Sequence, residues 1–100
     1  MATRLTRLKM NVLVEFYGIP RSRTGVSEVA LNLDASEATL GGIVSRIAQQ
    51  FPDFAADCVL HDRLLSTVAA NVNGEQFIGD PAFLLRDGDT LLILSSDAGG

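Results

Sequence analysis

The hydrophobic period of this chain changes twice, and that change limits the possible folds more than any single residue does. From Met10 to Tyr17 the side chains alternate, Met10, Val12, Val14 and Phe16 on one face and Asn11, Leu13, Glu15 and Tyr17 on the other, which is the period of a strand. Gly18-Ile19-Pro20 breaks the run, Arg21 to Gly25 reads as a polar turn, and Val29, Leu31 and Leu33 then share a face of a second strand. Two neighbouring strands with a short connection predict a hairpin. From Leu40 the period lengthens: Leu40, Ile43, Val44, Ile47, Ala48 and Phe51 recur every three or four residues, as one stripe of an amphipathic helix. Thr39 is its N-cap candidate, Pro52 marks its end, and Gly41 and Gly42 in its first turn weaken it in return for close approach to the sheet.

Alternation returns at Val68, Ala70 and Val72, followed by the turn pair Asn73-Gly74 and a short return segment, Gln76 to Ile78. Asp87-Gly88-Asp89 makes a second sharp turn before Thr90 to Leu94, a nearly all-apolar run that reads as a central strand buried on both faces. Residues 53 to 67 have no clear period. They read as loops with at most one short turn, with Leu64 and Leu65 tucked under the domain edge. A helix laid across one face of a mixed sheet is the simplest way to bury these stripes, so the expected class is α+β. With 100 residues the chain holds one domain. Its expected limits are residues 10–94, preceded by a disordered extension over residues 1–9 and followed by a flexible tail over residues 95–100.

Composition narrows the chemistry. At 47% apolar residues the chain is globular, and its longest apolar run, Leu91 to Leu94, is far below the roughly 20 residues that span a bilayer. Residues 1–9 lack the apolar centre of a secretory signal, so the expected location is the cytoplasm, with no membrane partner. Cys58 is the only cysteine and His61 the only histidine; the first reads as a packed thiol and the second as an exposed loop residue. No nucleophile, base pair or metal set can be assembled from them, so the chain is not read as an enzyme in its own right. The half from residue 52 onward has two basic residues, Arg63 and Arg86, against eight acidic ones. Such an acidic half opposes binding to a nucleic-acid backbone; it either steers the domain to a basic protein surface or simply keeps it soluble.

The sequence closes with Asp97-Ala98-Gly99-Gly100. With glycine at about 7% of residues, such a pair arises by chance in roughly one chain in two hundred, so the ending needs support from the rest of the chain. Glycine has no Cβ, and a diglycine segment can thread a channel too narrow for other residues. From a strand ending near Leu94, residues 95–100 reach at most about 20 Å at roughly 3.3 Å each.

Phe16-Tyr17-Gly18, Ala38-Thr39-Leu40, Phe51-Pro52, Val72-Asn73-Gly74, Leu85-Arg86-Asp87-Gly88-Asp89 and Gly99-Gly100, in this order and spacing, resemble the ubiquitin-like β-grasp sulfur carriers. That group includes MoaD, the small subunit of molybdopterin synthase, and the thiamin-pathway carrier ThiS. The resemblance covers about residues 10–100 and departs at Ser95-Ser96, where MoaD-like chains often have proline. It implies a β-grasp fold and a carrier whose Gly100 carboxylate becomes an acyl-adenylate and then a thiocarboxylate, with Gly99 permitting entry to the partner. The implied partners are an E1-like adenylating enzyme of the MoeB or ThiF type and a sulfur-accepting synthase such as the molybdopterin synthase large subunit. ATP and the sulfur donor then belong to the partner, and this chain binds no cofactor. A ThiS-like thiazole carrier and a ubiquitin-like modifier linked through Gly100 are the alternatives. The outer sheet face is the candidate interface, with Tyr17, Phe77, Leu94, Asp97 and Ala98 nominated; Phe77 and Leu94 fit a core position equally well.

Overall fold

The structure is a computed structural model that describes residues 8–61 and 63–96. Strand β1, Lys9–Phe16, pairs antiparallel with β2, Glu28–Asp34, and Val12, Val14, Phe16, Leu31 and Leu33 all point into the core, as their alternation predicts. The connection between them is not a plain turn. Ile19–Thr24 forms a short helix, α1, with Pro20 in its first turn and Gly25 closing it in the left-handed region at φ 76°, its N–H donating to the Arg21 carbonyl. Proline just inside a helix start and glycine just past its end are favoured for opposite backbone reasons.

A single 3-10 turn, Ala35–Glu37, leads into helix α2, Leu40–Gln50, whose Leu40, Ile43, Val44 and Ile47 are buried. Thr39 is the N-cap, its hydroxyl accepting from Gly42 N–H at 3.0 Å. The other early amides are paired too: Leu40 with the Phe83 carbonyl, Gly41 with that of Pro81 and Ile43 with that of Thr39. The close approach that a Cβ at Gly42 would obstruct is to the Glu37 carbonyl rather than to the sheet. Pro52 does end α2, but it also opens helix α3, Pro52–Cys58, whose Phe54 and Cys58 lie one turn apart and are both buried. Strands β3, Val59–Leu60, and β4, Arg63–Leu64, then form a small separate hairpin, so residues 53 to 67 hold a helix and two strands where loops were expected. Leu64 does pack against the core from its edge.

Strand β5, Val68–Val72, turns through Asn73-Gly74, both at positive φ, into β6, Gln76–Ile78. Strand β7 runs Thr90–Ser95, one residue beyond the expected end. The main sheet has the order β2-β1-β7-β5-β6. Strand β7 is central and parallel to β1, and every other pairing is antiparallel. This is the mixed α+β sheet expected, with α2 as the main helix across one face. The expectation that β7 is buried on both faces is corrected: Leu91 and Ile93 are fully enclosed, but Leu92 and Leu94 are half-buried. The buried apolar side chains of α2 and α3 and of β1, β2, β5 and β7 belong to one core, so the layer formed by the helices covers only one side of β7. At the other end, Lys9 pairs with Asp34 in the β1–β2 ladder and the Leu8 carbonyl accepts from Ala35 N–H, so β1 starts one residue before the expected boundary. Residues 1–7, Asp62 and residues 97–100 lie outside the described residues.

Candidate functional site: the outer sheet face and the exit of the last strand

Strand alternation places Leu13, Leu92, Leu94, Ala69 and Asn71 on the side of the sheet away from the helices. The register lines up one row across all strands, Glu28, Glu15, Leu92, Asn71 and Phe77, because each is the ladder partner of the next. Phe77 is 68% exposed on edge strand β6, so its core alternative is set aside, while Leu94 lies opposite Ala69 and is half-buried on the same face. Tyr17 follows the end of β1, is 45% exposed, and is held by its N–H donating to the Ile93 carbonyl at 2.9 Å. The three nominated side chains therefore sit on or beside one face, Tyr17 beside Leu94 and Phe77 one strand beyond β5. Asp97, Ala98, Gly99 and Gly100 lie outside the described residues.

The electrostatics of this face are acidic at one corner. Glu15 and Glu28 are direct cross-strand partners, a like-charge pair that weakens the sheet. Tyr17 donates its hydroxyl hydrogen to Glu15, and that bond, with lesser contributions from burial and the two glutamates, holds the phenol above its ordinary value despite Arg21.

Asn71 is the residue that sequence reasoning missed here. It is 7% exposed, and its Oδ1 is buried without a hydrogen-bond partner among the described residues. A buried side-chain carbonyl of this kind is uncommon, because losing water without a replacement bond costs about 1–3 kcal/mol. Its signal in the sequence was a polar residue between Ala70 and Val72, set on the opposite side from the apolar stripe.

The second half of the site is where β7 leaves the sheet. Ser95 and Ser96 both take side-chain hydrogen bonds there, Ser95 from Ile19 N–H at 2.9 Å and Ser96 to the Ser66 carbonyl at 2.6 Å. Gly18, at φ 68°, lies against Ser95. These five positions were not nominated from the sequence, although a glycine directly before a proline-led helix was a visible signal.

Among the described residues, the other parts offer no competing chemistry. Cys58 is buried and its thiol is pushed up by that burial and by Asp57, against a smaller downward pull from Arg23, so it is not a ready nucleophile. His61 is exposed at φ 61° in the turn between β3 and β4. No cluster of three or more His, Cys, Asp or Glu residues fit to hold a metal occurs among the described residues, and no helix there is long and apolar enough to cross a membrane. The first turn of α2 has no unpaired amide left for a phosphate, since all four of its leading N–H groups are bonded.

No family model and no curated protein matches the chain. Solved structures do. SAMP1 of Haloferax volcanii, a small archaeal modifier protein, superposes with a TM-score of 0.75 at 18% identity, covering 90% of this chain and 99% of that one. A Pyrococcus furiosus protein assigned as molybdopterin converting factor, subunit 1, gives 0.70 at 22% identity over 86% and 97%. A chain of the BexX/CysO complex of Amycolatopsis orientalis gives 0.67 at 29% identity over 89% and 99%. These likenesses establish the fold as the ubiquitin-like β-grasp, and they fall in the same group of proteins that the sequence resembles.

Proposed function

We propose that this chain is a sulfur carrier whose working group is the carboxylate of Gly100. The observation that carries the reading is that the central strand of a β-grasp sheet delivers the chain to the sheet rim at Ser96, four residues before a Gly99-Gly100 ending. A carboxylate with a reference pKa near 3.5 is ionised at neutral pH and is a poor electrophile, so it needs activation. In the proposed cycle a Gly100 oxygen attacks the α-phosphorus of ATP on an E1-like partner and pyrophosphate leaves. Sulfide equivalents from a donor then displace AMP, giving the thiocarboxylate. The sulfur passes to an acceptor on a second enzyme, and water restores the carboxylate. This chain supplies the acyl end and the outer sheet face; the nucleotide and the sulfur source are handled by partners of the MoeB or ThiF type.

Molybdopterin synthesis is the acceptor pathway we assign, in keeping with the likeness to a converting factor subunit. Incubating the chain with such an enzyme, ATP and a sulfur donor is expected to raise its intact mass by the difference between one sulfur and one oxygen atom. An unchanged mass with each MoeB-type and ThiF-type enzyme tried would remove the proposal.

A second reading, a protein modifier linked through Gly100 to lysines, draws on the likeness to a small archaeal modifier protein. Gly-Gly remnants on lysines of other proteins, lost when Gly100 is deleted, would favour it over carriage alone.

A further inference from the structure

The end of β7 is held from both sides by hydroxyl groups, and neither tie belongs to the regular sheet ladder. On one flank Ser95 Oγ accepts from Ile19 N–H at 2.9 Å. Ile19 opens α1, so this hydroxyl takes one of the amide donors that a helix start leaves unpaired. The approach depends on Gly18: a Cβ at that position would stand 2.5 Å from Ser95 Oγ, and its φ of 68° disfavours any side chain. On the other flank Ser96 N–H donates to the Thr67 carbonyl at 2.8 Å, while Ser96 Oγ donates to the Ser66 carbonyl at 2.6 Å. Gly18 and Ile19 follow β1, and Ser66 and Thr67 precede β5, the two neighbours of β7 in the sheet. Both neighbours thus grip the strand end just where its own ladder stops.

We infer that Ser95 and Ser96 are positioning residues that fix the point on the sheet rim beyond which the last four residues of the sequence follow. The inference deepens the carrier reading and rests on it. Five residues follow Ser95, the last residue of β7, and the ties at Ser96 leave four, which reach at most about 13 Å at roughly 3.3 Å each. An activating partner must therefore bring its reacting centre within that distance of the rim formed by Ile19 and Thr67. It also has one fewer backbone unit to immobilise. Its release would add conformational entropy to docking and appear as a rise of about tenfold in KM, with kcat little changed, because the reacting geometry at Gly100 is made by the partner.

The test compares the full-length chain with S95A/S96A and with S96T, which keeps a hydroxyl. In the isolated chain, amide hydrogen exchange at Ile19 and Ser96 is expected to quicken about tenfold or more in the double variant while the unfolding midpoint holds. With an E1-like enzyme that activates the wild-type chain, ATP–pyrophosphate exchange is expected to show the rise in KM for the double variant and wild-type behaviour for S96T. Unchanged exchange at both amides overturns the clamp, as does an unchanged KM. If the wild-type amides are protected and the double variant loses that protection, yet no E1-like enzyme activates the wild-type chain, the clamp stands and the carrier reading falls.

Discussion

Asn71 and Glu28 occupy positions on the outer sheet face that packing for stability alone would fill differently. Asn71 buries a carbonyl that has no partner among the described residues, between Leu92 and Phe77, so Asn71→Leu is expected to stabilise the fold by about 1–3 kcal/mol in urea unfolding. A loss of stability would mean that the amide makes a bond the fold requires. Glu28 faces Glu15, and Glu28→Gln is expected to add a few tenths of a kcal/mol while slowing association with a basic partner at low salt. Stopped-flow association at two ionic strengths checks the second part; equal rates for both proteins would show that this corner plays no role in docking. Cys58 makes a pH-dependent prediction. Its thiol is raised above an ordinary value near 9.0, so the folded chain keeps the proton that the unfolded chain releases. The resulting stabilisation is fully present below the unfolded value and is lost as pH climbs through the folded one. Alkylation in the native state should accordingly be far slower than in urea, and Cys58→Ala should flatten the alkaline decline in stability.

Helix α3 shows where element-scale reading succeeded and where it did not. The long periodic segments, β1, β2, α2, β5 and β7, were legible because each repeats its apolar residues enough times to define a period. Helices α1 and α3 have six and seven residues, too few turns for that, and what marks them is a proline in the first turn. Pro52 ends one helix and starts the next, a double role that hid the second. Phe54 meets the Phe16 ring edge-on at a centroid distance of 6.0 Å, which makes α3 part of the core and not a surface loop. Phe54→Ala is therefore expected to cost about 3–5 kcal/mol in denaturant unfolding, against less than about 0.5 for a true loop residue. Thr39→Ala, which removes the α2 cap, is expected to cost about 1 kcal/mol. Values below a few tenths at both sites would contradict this account of the helical layer.

At the scale of the whole molecule the helices cover one side of the sheet and leave the other half-exposed, an arrangement that the uninterrupted apolar run of β7 concealed. An apolar strand reads the same whether its second face meets another layer in the same chain or a partner. Of the nominated side chains, alternation set Tyr17 on the side of β1 away from Phe16 but left Phe77 and Leu94 open between core and surface, and Asn71 and the serine clamp depend on cross-strand register and on contacts between residues 76 apart. The account treats the folded domain as a holder for one acyl group, so deleting Gly100 should leave the unfolding midpoint unchanged while abolishing sulfur transfer. The most direct test is fragment-ion mass spectrometry of the chain after incubation with an adenylating enzyme, ATP and a sulfur donor. The account predicts sulfur in place of one oxygen on the fragment ending at Gly100 and nowhere else. Sulfur found on Cys58, or on no fragment of a chain that still supports transfer, would contradict it.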